Sequence, residues 1–247
     1  MSSEHPRVRG KSRAHRGPYP FGEFPDDVII AIGKQIVHRL AIGHADISGE
    51  DWGGIFANAI SGEHLGSPIG LTDIIYNSSS SWSAKTVQCP RPFTTPSIRL
   101  ISGRCSPDYS YAISDPRADV ARTGEAVLSI WNERVARSKN DYDDLRVIVL
   151  IRNMSQLQFA LFEYEPVRFT PGDYVWCIGS RNNLHADDKV SGERCFTWQP
   201  HGGQFTIHKT VPGSVCKFRI ARHPGLIEPQ QVLQLIRFKD SWIERIP

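Results

Sequence analysis

The chain has 247 residues, 40% hydrophobic and 22% charged, with a formal net charge of +3. That is ordinary globular composition for one large domain or a domain with an appendage. No apolar run approaches the ~18 residues that cross a bilayer, and the polar N-terminus has no apolar core of a signal peptide. Five cysteines (Cys89, Cys105, Cys177, Cys195 and Cys216) are odd in number and form no CxxC pair. This argues against a zinc ribbon and for free thiols in a reducing compartment. The expectation is a soluble, cytoplasmic protein.

In chain order, Arg7, Arg9, Lys11, Arg13 and Arg16 come first, among the helix breakers Gly10, Gly17, Pro18 and Pro20. Residues 1–24 read as a basic flexible arm. Such an arm can neutralise phosphates, with a salt-dependent gain in affinity for nucleic acid; a solvated tail without a function has the same composition. A helix is predicted from Asp26 to Ile42, with Ile29, Ile32, Ile36 and Leu40 at helical spacing and Asp26 and Asp27 at its positive end. A second follows Ser48, which with Asp51 makes a capping pattern. Its apolar face is Trp52, Ile55, Phe56, Ala59 and Ile60.

Strands are predicted near 71–77, 82–88 and 97–102, the first two joined by a Ser-rich turn. A loop runs from Gly103 to Pro116, then a long helix from Arg117 to Lys139 with the stripe Val120, Val127, Leu128, Trp131 and Val135. Leu145 to Ile151 is nearly all apolar, the mark of a strand buried on both faces, and Gln158 to Glu165 is another strand. Beyond 168 the chain turns to short strands with Gly and Pro turns, around Trp176, 196–198, 205–207 and 218–220, before a final helix from Pro229. The fold class is α/β: a mixed central sheet flanked by helices in residues 25–167, with a β-rich extension in 168–247 packed on it.

Side chains two apart on a strand share a face, so Ser83 and Lys85 point the same way. Asp73, on the preceding strand, can meet them. A carboxylate there can hold Mg²⁺ with waters completing the shell, and a lysine can orient the attacking water and offset phosphate charge. The bland alternative makes Asp73 a strand-end residue and Lys85 an edge charge that guards against aggregation.

The segment Pro68-Ile69-Gly70-Leu71-Thr72-Asp73, with Ser83-Ala84-Lys85, resembles the PD-(D/E)XK nuclease superfamily, which includes many type II restriction endonucleases. The resemblance covers residues 48–165 and extends to the helix–strand–strand–strand–helix–strand order. It implies a restriction-endonuclease-like core and a Mg²⁺-dependent DNA endonuclease with Asp73 as metal ligand and Lys85 as catalytic lysine. The motif's second acid falls on Ser83, a poor ligand for a hard cation. Some members supply that carboxylate from a neighbouring helix. Here Glu125 is the first candidate and Glu63 the second, with Glu50, Asp51 and Asp119 also near in sequence.

Two further segments bear on DNA. The loop 102–111 carries Arg104 and Ser106, suited to guanine and to phosphate. Residues 196–206 read as a hairpin whose tip presents Gln199, His201 and Gln204, a two-stranded ribbon of the kind that enters a major groove. Both also read as ordinary turns, the second needing Gly202 and Gly203 for its backbone. No Walker A, dinucleotide or GxSxG motif is present. The expected function is sequence-specific cleavage of double-stranded DNA by a homodimer, because two-fold DNA matches two-fold protein. The alternative is a nucleic-acid binding module on a degenerate, inactive nuclease fold.

Overall fold

The computed structural model describes residues 17–66, 70–179 and 181–246. Helix α1 (Asp26–Ala41) buries Val28, Ile32, Ile36 and Leu40 on one stripe. Helix α2 (Gly49–Ala59) begins with the full reciprocal capping box of Ser48 and Asp51, which satisfies two of the N–H groups that a helix start leaves free. Both pack on one face of a six-stranded mixed sheet. Its strands are β1 (Glu63–His64), β2 (Ile74–Tyr76), β3 (Ser80–Gln88), β5 (Asp144–Asn153), β6 (Gln158–Tyr164) and β11 (Cys216–Arg219), in the spatial order β1-β2-β3-β5-β6-β11. Only the β3–β5 pair is parallel, as a crossover connection requires.

The crossover supplies the second layer. Strand β4 (Ser97–Arg104) leaves the first sheet and heads another, of order β4-β10-β9-β8-β7. A short helix α3 (Pro107–Tyr111) and the long helix α4 (Val120–Asp141) complete the crossover. The remaining strands of this sheet are β7 (Tyr174–Ile178), β8 (Leu184–Asp188), β9 (Arg194–Gln199) and β10 (Gln204–Thr210), and a final helix α5 spans Pro229–Leu235. The apolar run of β5 is explained by its two neighbours. Ile148 and Leu150 face the α1/α2 layer, while Val147, Val149 and Ile151 face Ile98 and Leu100 of β4. Among the described residues no helix is long and apolar enough to cross a membrane.

The architecture is mixed α/β, as the sequence suggests, with three differences in arrangement. The stripe of α4 (Val127, Leu128, Trp131, Val135) packs on Trp176, Leu184, Phe196 and Phe205 of the second sheet, not on the first. Hydrophobic spacing fixes which side of a helix is apolar and leaves its partner open. Residues 168–247 are interwoven with the preceding residues and not simply laid on them. Strand β4 comes from before it and pairs with β10, while β11 comes from after it and pairs with β6. Nor does the arm extend to residue 24, because Tyr19 is buried. Its hydroxyl donates to Glu163 Oε1 at 2.7 Å, and Gly22 N–H donates to Oε2 at 3.1 Å.

Candidate active site

Strand β2 pairs with β3 through Ile74↔Trp82, and Asp73 lies just before that register. Its backbone N–H donates to the Trp82 carbonyl at 2.9 Å. Its carboxylate then takes the place of a ladder acceptor: Oδ2 accepts the Ala84 N–H at 2.7 Å and the Ser83 hydroxyl at 3.1 Å. The Lys85 ammonium stands 3.5 Å from the same oxygen. Oδ1 has no hydrogen-bond partner among the described residues, and both charged side chains are about one-fifth exposed. Asp73, Ser83 and Lys85 therefore meet on one face of the hairpin. The segment before them is held from α4, where Ser138 Oγ accepts the N–H of buried Leu71.

The two candidates for a second carboxylate are placed differently. Glu63 pairs with Ile75, and Leu65 N–H donates to Asp73 O at 2.9 Å. Directly paired residues share a face, so Glu63 lies on the Asp73 face at the sheet edge. Tyr142 is close by: burial raises its pKa, and the charges of Asp141 and Glu63 raise it further. Glu125, by contrast, is exposed near the start of α4. Along an α-helix the interval from Glu125 to Ser138, the contact that reaches the hairpin, is about 20 Å. The structure does not bring Glu125 to Asp73, because the front half of α4 is committed to the second sheet. Asp119 accepts the Arg122 N–H as the α4 cap, Asp51 caps α2, and Glu50 faces His64.

Among the described residues no three His, Cys, Asp or Glu side chains gather as a metal-binding group. What the hairpin face does present is Asp73 Oδ1, Glu63 and the Ser81 hydroxyl. That hydroxyl is buried and has no hydrogen-bond partner. One or two carboxylates with retained waters is a donor set that magnesium accepts. The residues thus fit a hydrated hard cation, and not one caged wholly by protein. A cleft of about 710 Å³ lies elsewhere, between α4 and residues 167–170, and neither Asp73 nor Lys85 lines it.

The described candidates for DNA contact come together at one end of the second sheet. Gln204 pairs with Arg104 on one side and Gln199 on the other. The turn between β9 and β10 has Gly202 and Gly203 at φ +81° and +61°, the left-handed region that glycine enters without steric cost. His201 is exposed on that turn. Gly203 lies so close that a Cβ there would come within 3.0 Å of the Ser106 hydroxyl. Cys105 anchors the cluster, donating its N–H to Gly203 O at 2.7 Å and accepting the Trp198 indole N–H at 2.8 Å. Cys105 and Leu71 share one apolar cluster with Trp131 and Val135, so α4 links this end to the hairpin. Arg7, Arg9, Lys11 and Arg13 lie outside the described residues.

Sequence reasoning missed the buried polar cluster at the start of β5. Arg146 is bidentate to Asp144 and reaches Glu163 Oε2 at 3.1 Å. Glu163 Oε1 also accepts the Trp82 indole at 2.7 Å. The one signal available was charge: an arginine inside the apolar run 145–151, where a charged side chain needs a partner. Comparison with protein-family models, curated proteins and solved structures gives no match to this chain.

Proposed function

We propose that the protein is a Mg²⁺-dependent DNA endonuclease of the PD-(D/E)XK kind, of restriction type, with its active site on the β2–β3 hairpin. The observation that carries this reading is the convergence of Asp73, Ser83 and Lys85 on one face, with Asp73 Oδ1 unengaged. Asp73 and Glu63 would hold the cation, so Glu63 replaces Glu125 in this proposal. A divalent cation there supplies charge neutralisation at the phosphate and acidification of water. Lys85 is kept extended by Asp73 and sets a positive charge where negative charge grows on phosphorus-bound oxygens. Arg104, Ser106, Gln199, His201 and Gln204 grip and read the duplex, and the basic residues of the arm add phosphate contacts. Cutting both strands of a two-fold site favours a homodimer, working on DNA in the cytoplasm.

One observation favours a second reading, a DNA-binding module without activity. Ser83 stands where the motif has an acid, and it donates to Asp73. The same experiment separates the two. Plasmid and phage DNA are incubated with the protein in Mg²⁺ and in EDTA, beside Asp73→Asn and Lys85→Ala. Asn retains an acceptor for the Ala84 N–H, so the hairpin is preserved. Discrete fragments in Mg²⁺, absent in EDTA and reduced at least about a hundredfold in both variants, are expected. Intact DNA that is nevertheless retarded on a gel, equally by wild type and Asp73→Asn, would establish the binding module. Cleavage indifferent to EDTA and to both substitutions would remove the hairpin mechanism.

A further inference from the structure

Arg134 belongs to α4 and is half-buried at the flank of its apolar stripe. Among the described residues its guanidinium makes no ion pair; Arg137, three residues on, instead pairs with Glu133. The side chain lies across Gly103, where an added Cβ would stand 2.7 Å from Nη1. Only the missing side chain at 103 leaves that path open. A guanidinium presents five donors in a rigid fork and costs several kcal/mol to desolvate without a partner, so a half-buried one with no ion pair among the described residues is suited to an anionic ligand.

Its position says which anion. Ser138, one helical turn on and on the same side of α4, holds the Leu71 N–H two residues before Asp73. That is about 6 Å along the helix and about 7 Å along the extended chain. On the other side, Gly103 precedes Arg104 in the cluster with Gln199 and Gln204. Arg134 thus stands between the hairpin and the end of the second sheet that would read bases.

We propose that Arg134 is a phosphate-binding residue that grips the DNA strand beside the phosphate held at Asp73 and Lys85. This rests on the nuclease reading for the identity of the polyanion. Its chemistry is that of a guanidinium fork on two phosphate oxygens.

The test is binding of a labelled duplex by fluorescence anisotropy in EDTA across a salt series, so that cleavage plays no part. The variants are Arg134→Gln, Arg134→Lys and Gly103→Ala. Gln keeps most of the stem that packs on Gly103 and removes the charge. It is expected to weaken binding by about tenfold and to lower the salt slope by about one. Lys restores the slope while losing part of the affinity, since a point charge replaces a fork. Gly103→Ala, which displaces the guanidinium, weakens binding in the same direction, with unfolding midpoints recorded beside each variant. Wild-type affinity and slope in Arg134→Gln would overturn the proposal while leaving the nuclease reading intact. Absence of DNA binding by the wild type at low salt would overturn both.

Discussion

Glu163 shows how one side chain can hold three segments together. It receives Tyr19 from the N-terminal segment, Trp82 from β3 and Arg146 from β5, and it is fully buried. A buried charge is tolerable when its partners are numerous and well aligned, and here four donors share two oxygens once Gly22 is counted. Removing one partner of such a pair leaves the other charge stranded, which costs about 3–5 kcal/mol. Glu163→Gln is expected at the low end, about 3 kcal/mol, because the amide retains an acceptor and Arg146 retains Asp144. Urea unfolding measures it, and Arg146→Met added to Glu163→Gln should cost further stability, because it leaves Asp144 without its bidentate partner. A double variant as stable as the single one would refute this account of the cluster. Asp73 makes the opposite point about legibility. Its meeting with Ser83 and Lys85 was legible from the alternation of β3 and the short turn, although β2 is shorter than the expected 71–77 and Asp73 lies just before its first residue, Ile74. The second carboxylate could not be read, because its position depends on whether α4 packs on the first or the second sheet.

At the scale of elements, the sequence gives existence and approximate limits well. Helices α1, α2 and α4 and strands β3, β4, β5 and β6 lie within a few residues of their predicted spans. What it withholds is partnership. Strand β4 alternates buried and exposed residues from Ile98 to Ser102, which identifies a half-buried strand without saying which sheet receives it. The two-residue strand β1 is too short for any period to appear. Helix α4 also holds a position that propensity misjudges. Gly124 sits inside the helix, where alanine is usually better by about 1 kcal/mol. Yet a Cβ there would come 2.3 Å from the Trp176 ring, and this contact is how α4 lies flat on β7. Gly124→Ala is therefore expected to destabilise by about 1–3 kcal/mol, the range for overpacking. A raised unfolding midpoint would show that the Trp176 contact does not set the helix position.

Over the whole molecule, the groups whose titration is shifted by folding act in one direction on acid stability. On the outer face of the second sheet, Thr197 Oγ1 lies between His185 Nδ1 at 3.3 Å and His208 Nε2 at 3.0 Å. Burial lowers the pKa of both histidines. Arg194 and Arg99 press them further down, His185 adds to this at His208, and Asp187 opposes it. On the other layer, the hydrogen bonds from Arg152 hold Asp46 below the ordinary carboxylate value, and in the second sheet itself those from Arg194 do the same for Asp187, beside the two histidines. A base whose pKa is lowered by folding binds fewer protons native than unfolded just below the free imidazole value of about 6.5, so stability rises with pH there. An acid with a lowered pKa gives the same sign, acting below about 3.9. Stability is thus present in full above neutrality and is lost in two stages as pH falls, first through the histidines and then through the carboxylates. Urea midpoints recorded from pH 8 to pH 3 should decline in those two steps. Replacing His185 and His208 together by Gln should flatten the first step and leave the Asp46 part of the second, since Asp46 is bound to a different layer, while the Asp187 part weakens because both histidines help to hold that carboxyl down. A first step that persists in the double variant would move its origin away from the outer face of the second sheet.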